Sequence, residues 1–237
     1  MLANLLASEA MTAADLSVVR RWIGDSEAWV RHLLVIAHEH PGIVAVVVMG
    51  SAVRPRGHRR SDVDLLVVYD EVKPKLQPPV EVDIRYHSTR NLADLVIKGH
   101  EIVCWALKYG VPIYDPNGYW ASFRKTWISK VGLPSAEEAR ARATRSLKAG
   151  RDMLEAGDDD AASDLILAAL TQLARAELID ASVFPASRPE LPMQLREISA
   201  GSGLAELLEE AMFSDGSTQE LIARLRSLNF AVHDKVQ

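Results

Sequence analysis

A short run of β-branched residues, IVAVVVM over 43–49, constrains the fold of this chain more than any other segment. It carries no charged residue, and β-branched side chains favour strands. A strand without alternation of apolar and polar positions is typically covered on both faces, as in the middle of a sheet that helices flank. We therefore expect this run to be a central strand of an α/β domain.

The segments around this run predict further strands and helices. Ser26 can cap a helix that ends at Pro41-Gly42, and a second strand is expected over about 62–69. Val80 to Tyr86 alternates apolar with polar residues, which is typical of a strand with one polar face. Residues 90–109 read as one helix, and VPIYDP after them as an edge strand.

From Ser135 onward nearly every segment has a helical pattern. Helices are predicted in this part and in the segment just before it, over 117–131, 136–156, 159–181, 189–199, 203–213 and 217–232. LILAALTQLARAELI, over 165–179, is apolar almost all round and is expected to be the central helix of a bundle. The KVGLPS segment separates the strand-rich part of the sequence from the helix-rich part, which predicts domains over 1–132 and 133–237.

Composition excludes several classes of protein. The chain has 237 residues and a net charge of −5, so any phosphate-binding site must be local rather than a property of the whole surface. The single cysteine, Cys104, excludes an intrachain disulfide and fits a reducing cytoplasm. No apolar run reaches the roughly 20 residues of a membrane span, and the start resembles no signal peptide, so we expect a cytoplasmic protein without a membrane partner.

Three carboxylates are the first candidates for chemistry. Asp62 and Asp64 lie two apart at the start of a strand, so their side chains point to the same face. Asp83 lies on the polar face of the next predicted strand and joins them if the two strands are neighbours. Carboxylates at close quarters repel one another, and hard oxygen ligands of this kind select Mg²⁺ or Mn²⁺.

The other candidates precede these carboxylates. Gly50-Ser51 ends the apolar run, where glycine permits close backbone approach and the amide and hydroxyl can donate to phosphate oxygens. A basic loop follows and adds positive charge near the same place. Its basic residues are Arg54, Arg56, His58, Arg59 and Arg60.

Together these residues read Gly50-Ser51, ten residues, then Asp62-Val63-Asp64. This resembles the GS-x10-DxD signature of the DNA polymerase β-like nucleotidyltransferase superfamily, and its spacing is most similar to the minimal and antibiotic-modifying branches. The resemblance covers about residues 26–116. It implies an α/β (α+β) nucleotidyltransferase domain, with a mixed sheet flanked by helices, followed by an all-α helical bundle domain.

The resemblance also implies roles for individual residues. Gly50 and Ser51 would hold the β- and γ-phosphates of a nucleoside triphosphate, with Arg56, Arg60 and Ser61 as further nucleotide-binding residues. The metal ligands would be Asp62, Asp64 and Asp83, holding two Mg²⁺ ions, with Mn²⁺ as a substitute. Asp83 would also take the proton of an acceptor hydroxyl, with Glu101 left open as an alternative base. Pro55 departs from the usual loop and leaves open which arginine contacts phosphate.

The acceptor is less constrained than the donor. The helical part resembles the helical domains of HEPN and kanamycin nucleotidyltransferase type. The resemblance is carried by the hairpin LKAGRDMLEAGDDDAASDLILAALTQLARAELI and the segment SRPELPMQL after it. In relatives, such domains line the acceptor site or a homodimer interface. We expect transfer of AMP from ATP to a small molecule such as an aminoglycoside-like antibiotic. Adenylylation of a protein side chain, as in toxin–antitoxin pairs, and a non-catalytic nucleotide-binding or dimerisation module stay open. A nucleic-acid acceptor is disfavoured by the negative net charge.

Overall fold

The computed structural model describes residues 16–20, 22–54, 62–198, 203–213 and 218–227. The chain divides into two compact units, Met1–Gly132 and Leu133–Gln237. Three predicted site residues, Arg56, Arg60 and Ser61, lie outside the described residues.

The first unit combines a four-stranded sheet with short helices. Its helices are α1 (Ser26–Glu39), α2 (Leu92–Ile97), α3 (Glu101–Tyr109) and α4 (Tyr119–Trp127), and its strands are β1 (Ile43–Met49), β2 (Val63–Tyr69), β3 (Val82–Ser88) and β4 (Val111–Tyr114). Short 3₁₀ turns occur at Leu16–Val18, Gly50–Val53 and Ile128–Lys130.

The sheet is mixed, and its strand order is β3-β2-β1-β4. β1 is antiparallel to both β2 and β4, whereas β3 runs parallel to β2. β1 is buried along nearly its whole length, as its uncharged sequence predicts, and β4 is an edge strand. The predicted fold class, a mixed sheet with flanking helices followed by a helical region, is thereby confirmed.

Helices cover the two faces of β1. Val46 and Val48 belong to a buried cluster with Leu33 and other apolar residues of α1. Val47 points to the opposite face, where α3 and α4 contact β1. Gly110, directly after α3, has no room for a side chain, because a Cβ there would meet the Ala106 carbonyl oxygen and a methyl group of Val47. The C-terminal end of α3 is therefore fixed close to the sheet.

The single helix predicted over 90–109 is wrong. The structure has two helices, α2 and α3, separated at residues 98–100. Gly99 adopts a left-handed backbone with φ of +67°, which an L-residue rarely adopts, and His100 has a non-helical backbone with ψ of 115°. The apolar periodicity of the sequence continues across residues 98–100, because α2 and α3 both bury apolar side chains in the same unit. The periodicity alone therefore does not reveal the break between the two helices.

The second unit consists of helices where it is described. These helices are α5 (Ala136–Glu155), α6 (Asp159–Asp180), α7 (Leu191–Ile198), α8 (Gly203–Phe213) and α9 (Thr218–Ser227), with a 3₁₀ turn at Arg188–Glu190. α6 contributes more residues to the buried core than its neighbours do, as its all-round apolar sequence predicts. Among the described residues of both units, no helix is long and apolar enough to cross a membrane.

The hairpin of α5 and α6 shows why these helices begin and pack as they do. The Ser135 hydroxyl accepts from the Glu138 backbone N–H at 3.1 Å, and an oxygen of Asp158 accepts from the Ala161 N–H at 3.0 Å. Gly157 supplies the left-handed residue of the connection, with φ of +82°. Gly150 brings α5 close enough to α6 that a Cβ would crowd the Ile166 side chain.

A pair of half-buried histidines lies at the end of β3, with His87 in the strand and His100 just before α3. The rings of His87 and His100 lie edge to face, with centroids 5.1 Å apart. Burial lowers the pKa of His87 below its ordinary value of 6.5, and the neighbouring His100 lowers it further.

We expect this pair to make folding stability pH-dependent. Because the unfolded chain binds a proton at His87 more readily, the stabilising contribution is complete above about pH 6.5 and is lost as the pH falls toward the lowered pKa of the folded state. His87→Gln should therefore reduce the fall in the free energy of unfolding between pH 7 and pH 5, measured by urea denaturation. His38→Gln, at an exposed position of α1, is the control. An unchanged pH profile in His87→Gln would contradict the expectation.

Candidate active site

The site begins where β1 ends. Gly50 follows Met49 with φ of +68° and opens the 3₁₀ turn Gly50–Val53. A Cβ on Gly50 would overlap the Asp64 carboxylate. Glycine is therefore required here twice, for the left-handed backbone and for the close approach of the Asp64 side chain to the turn.

The turn is held by the segments on either side of it. The Arg54 N–H donates to the Ser51 carbonyl oxygen at 3.1 Å and closes the turn. Arg20 donates its backbone N–H to the Ala52 carbonyl oxygen at 3.0 Å, and Ala52 itself is buried. Gly50 and Ser51 are half-buried, so this tight turn lies at the edge of the core.

Strand register brings two of the predicted carboxylates together. Asp64 in β2 pairs with Met49 of β1 on one side and with Asp83 of β3 on the other. Paired residues of neighbouring strands point to the same face and lie about 4.8 Å apart along the hydrogen-bonding direction. Asp64 and Asp83 therefore face the same side, beside the Gly50 turn. This is the face that α3 and α4 contact at β1, because Val47 pairs with Leu66, two residues after Asp64.

The third carboxylate lies just outside the sheet. Asp62 immediately precedes β2 and is exposed, two residues before Asp64. The three side chains are not gathered into one cluster, since among the described residues no group of three acidic, histidine or cysteine side chains could hold a metal ion. The predicted metal set, Asp62, Asp64 and Asp83, therefore stays a prediction.

Arg85 is a site residue that the sequence reasoning did not select. Its guanidinium forms an ion pair with the Asp83 carboxylate, and both side chains are about half exposed. Arg85 lies two residues after Asp83, on the same face of β3. The sequence does contain a signal for the Asp83–Arg85 pair. Glu81, Asp83 and Arg85 occupy alternate positions of one strand, and side chains at positions i and i+2 of a strand are neighbours on the same face.

Glu101 lies away from these residues. It is the first residue of α3 and follows His100, whose ring contacts His87 at the far end of β3. His87 is four residues beyond Asp83, a distance of about 13 Å along a strand. The end of α3 that lies nearest the Gly50 turn carries Tyr109 instead, because Val111 pairs with Val48.

Residues 31–105 match the family model of the nucleotidyltransferase domain. Over about a third of its length, the chain is therefore similar to nucleotidyltransferase domains. The matched range contains Gly50, Ser51 and all three predicted carboxylates, and it assigns the protein to the transferases.

The nucleotidyltransferase match ends before the helical unit. The resemblance of that unit to HEPN-type and kanamycin nucleotidyltransferase-type domains therefore stays a prediction. Among solved structures, a nucleotidyltransferase-like protein from Exiguobacterium sibiricum is similar over 85% of this chain and 72% of its own, with 20% identity and a TM-score of 0.41. The comparison with curated proteins gave no match.

The geometry of the turn predicts the effect of a side chain at Gly50. Gly50→Ala should lower the free energy of unfolding by about 1–3 kcal/mol, because it adds backbone strain and overlaps Asp64. Urea denaturation measures this loss. Gly132→Ala is the matched control, since a Cβ at Gly132 has no neighbour within 4 Å.

A second variant separates the two causes. In Gly50→Ala combined with Asp64→Ala the overlap disappears and only the strained backbone remains. We expect the double variant to lose less stability than the two single losses added together. Strict additivity would mean that the carboxylate does not lie against the turn.

Proposed function

We propose that this protein is a Mg²⁺-dependent cytoplasmic nucleotidyltransferase that transfers AMP from ATP to a hydroxyl group of a small molecule, such as an aminoglycoside-like antibiotic, and releases pyrophosphate. The proposal is supported above all by the register that sets Asp64 beside Asp83, next to the Gly50 turn. The small-molecule acceptor rests on the presence of a separate helical unit, and homodimer formation stays a prediction.

The proposed reaction is an in-line displacement at the α-phosphorus. The acceptor oxygen forms a bond to this phosphorus, the bond from it to the bridging oxygen of the β-phosphate breaks, and pyrophosphate leaves. Asp83 takes the proton of the acceptor hydroxyl, because it is the carboxylate on the strand next to Asp64. Gly50 and Ser51 bind the leaving phosphates through the turn that they open.

The residues suit a divalent cation in their chemistry. Asp62, Asp64 and Asp83 offer hard oxygen donors, and Asp64 and Asp83 stand side by side on adjacent strands. When bound, two Mg²⁺ ions would neutralise charge on the leaving phosphates and lower the pKa of the acceptor hydroxyl. Without them, the positive charge next to Asp83 is that of Arg85.

Removing a single carboxylate tests the assignment. We expect Asp64→Asn and Asp83→Asn to lower transfer about 10²- to 10⁴-fold, since each removes a metal ligand and Asp83→Asn also removes the base. Purified protein is incubated with each α-labelled triphosphate, Mg²⁺ and a panel of acceptors, and the labelled products are separated. Melting temperatures show whether the variants are folded.

Glu101→Gln is the control for the base, because Glu101 lies at the opposite end of α3. It should keep wild-type turnover. Full turnover in Asp83→Asn together with loss in Glu101→Gln would reverse the assignment. Label on a protein band rather than on a small molecule would replace the proposed acceptor with a protein side chain. Absence of transfer to any acceptor, with triphosphate binding unaltered in Asp62→Ala, would reject the enzymatic proposal.

The ion pair at Asp83 predicts a change in metal affinity. Arg85→Met removes a cation that competes with a divalent ion for Asp83 and also repels that ion. Mn²⁺ should therefore bind about two- to fivefold more tightly to the variant. The gain in affinity is modest because the Asp83–Arg85 ion pair is half exposed. Calorimetric titration with Mn²⁺ measures it. Arg90→Met is the matched control, because Arg90 pairs with exposed Glu71 beyond the end of β3. Equal affinities in the two variants would contradict the competition.

A further inference from the structure

Arg54 is tied both to the Gly50 turn and to helix α3. Its backbone closes the turn through the hydrogen bond to the Ser51 carbonyl oxygen. Its guanidinium lies over the Tyr109 ring, with the central carbon 4.6 Å from the ring centroid. Contact with an aromatic face holds a guanidinium by cation–π attraction and restricts where its N–H groups point.

Tyr109 is itself held in place from two sides. Arg124 of α4 donates its Nε–H to the Leu107 carbonyl oxygen at 2.9 Å and an NH2 group to the Lys108 carbonyl oxygen at 3.4 Å. These carbonyls belong to the last turn of α3, where the helix leaves carbonyl groups without intrahelical partners. On the other side, Gly110 lies against Val47 of β1. The ring under Arg54 thus sits on fixed backbone.

We infer that Tyr109 is a positioning residue that holds Arg54 where it binds the β- and γ-phosphates of the nucleotide substrate. This inference rests on the proposed function. The ring occupies one face of the guanidinium, whereas the N–H donors lie in its plane, the direction from which phosphate oxygens bind. Arg54 directly follows the Gly50–Val53 turn, so its backbone adjoins the place where the leaving phosphates are proposed to bind.

The competing explanation is structural. A cation near the last turn of a helix stabilises the partial negative charge of its carbonyl groups, and in this explanation Arg54 serves α3 alone. That role affects the free energy of unfolding equally with and without nucleotide. A role in phosphate binding instead depends on how many phosphates the nucleotide carries. Triphosphate and monophosphate affinities therefore separate the two.

The test measures binding of the non-cleavable α,β-methylene analogue of ATP, and of AMP, by calorimetry in the presence of Mg²⁺. Arg54→Ala should weaken binding of the triphosphate analogue about 10- to 100-fold and leave AMP binding within about twofold, because only the analogue carries the contacted phosphates. Tyr109→Leu should weaken the analogue about two- to fivefold, and Tyr109→Phe should bind it like wild type, since the ring is retained. Arg31→Ala, in a surface pair with Glu27, is the control.

Kinetics and a double variant complete the test. In the transfer assay, Arg54→Ala should raise KM for ATP with a smaller change in kcat. Arg54→Ala/Tyr109→Leu should bind the analogue no more weakly than Arg54→Ala alone, because Tyr109 acts through Arg54. If Arg54→Ala does not fold, Arg54→Lys replaces it and should show an intermediate loss, because lysine keeps the charge without the planar fork.

The outcomes distinguish this inference from the proposed function. Analogue affinity in Arg54→Ala equal to that of Arg31→Ala overturns the inference, and so does an equal loss for AMP and the analogue. A wild-type protein that binds the analogue but transfers no nucleotide overturns the proposed function, while selective loss of the analogue in Arg54→Ala still supports the inference. A wild-type protein that binds no triphosphate overturns both.

Discussion

The parallel pairing of β2 with β3 is the constraint on which the rest of the site depends. It aligns Asp64 with Asp83, whereas a shift of one residue would turn one of the two carboxylates to the other face of the sheet. The apolar residues that follow Asp64 fix that register, because Leu65 and Val67 must face the core that α1 covers. The positions of the carboxylates are thus set by burial of their apolar neighbours.

The negative charge at this edge of the sheet is partly balanced by an arginine. Two carboxylates on adjacent strands repel each other, and in the structure the charge of Asp83 is met by Arg85. An arginine on a half-exposed strand is a weak partner, since exposed ion pairs contribute at most about 1 kcal/mol. In the proposed function, a divalent ion at Asp83 would displace Arg85, and metal binding would then be coupled to the position of the Arg85 side chain.

Sequence reasoning could predict the strands and the Gly50 turn, because each depends on local periodicity or on short spacing. It could predict the shared face of Asp64 and Asp83 only on the condition that β2 and β3 are neighbours, which the structure shows. It wrongly joined α2 and α3 into one helix, because the apolar periodicity continues through both of them. The break between them depends on the left-handed backbone of Gly99, which the periodicity does not reveal. Contacts between residues far apart in sequence left no local signal. Tyr109 under Arg54 is 55 residues away from it, and nothing in the pattern of either segment specifies the contact.

The direction of α3 decides which of its side chains can serve the site. The helix has nine residues and spans about 13 Å, so its two ends meet different parts of the sheet. β4 follows α3 after one residue, Gly110, and pairs with Val48 near the end of β1, which places the C-terminal end of α3 beside the Gly50 turn. Glu101 is thereby carried to the histidine pair at the other end of β3, and an aromatic ring rather than a carboxylate faces the turn. A ring there can orient a cation, which fits the proposed reaction, in which a carboxylate of β3 rather than a residue of α3 takes the proton.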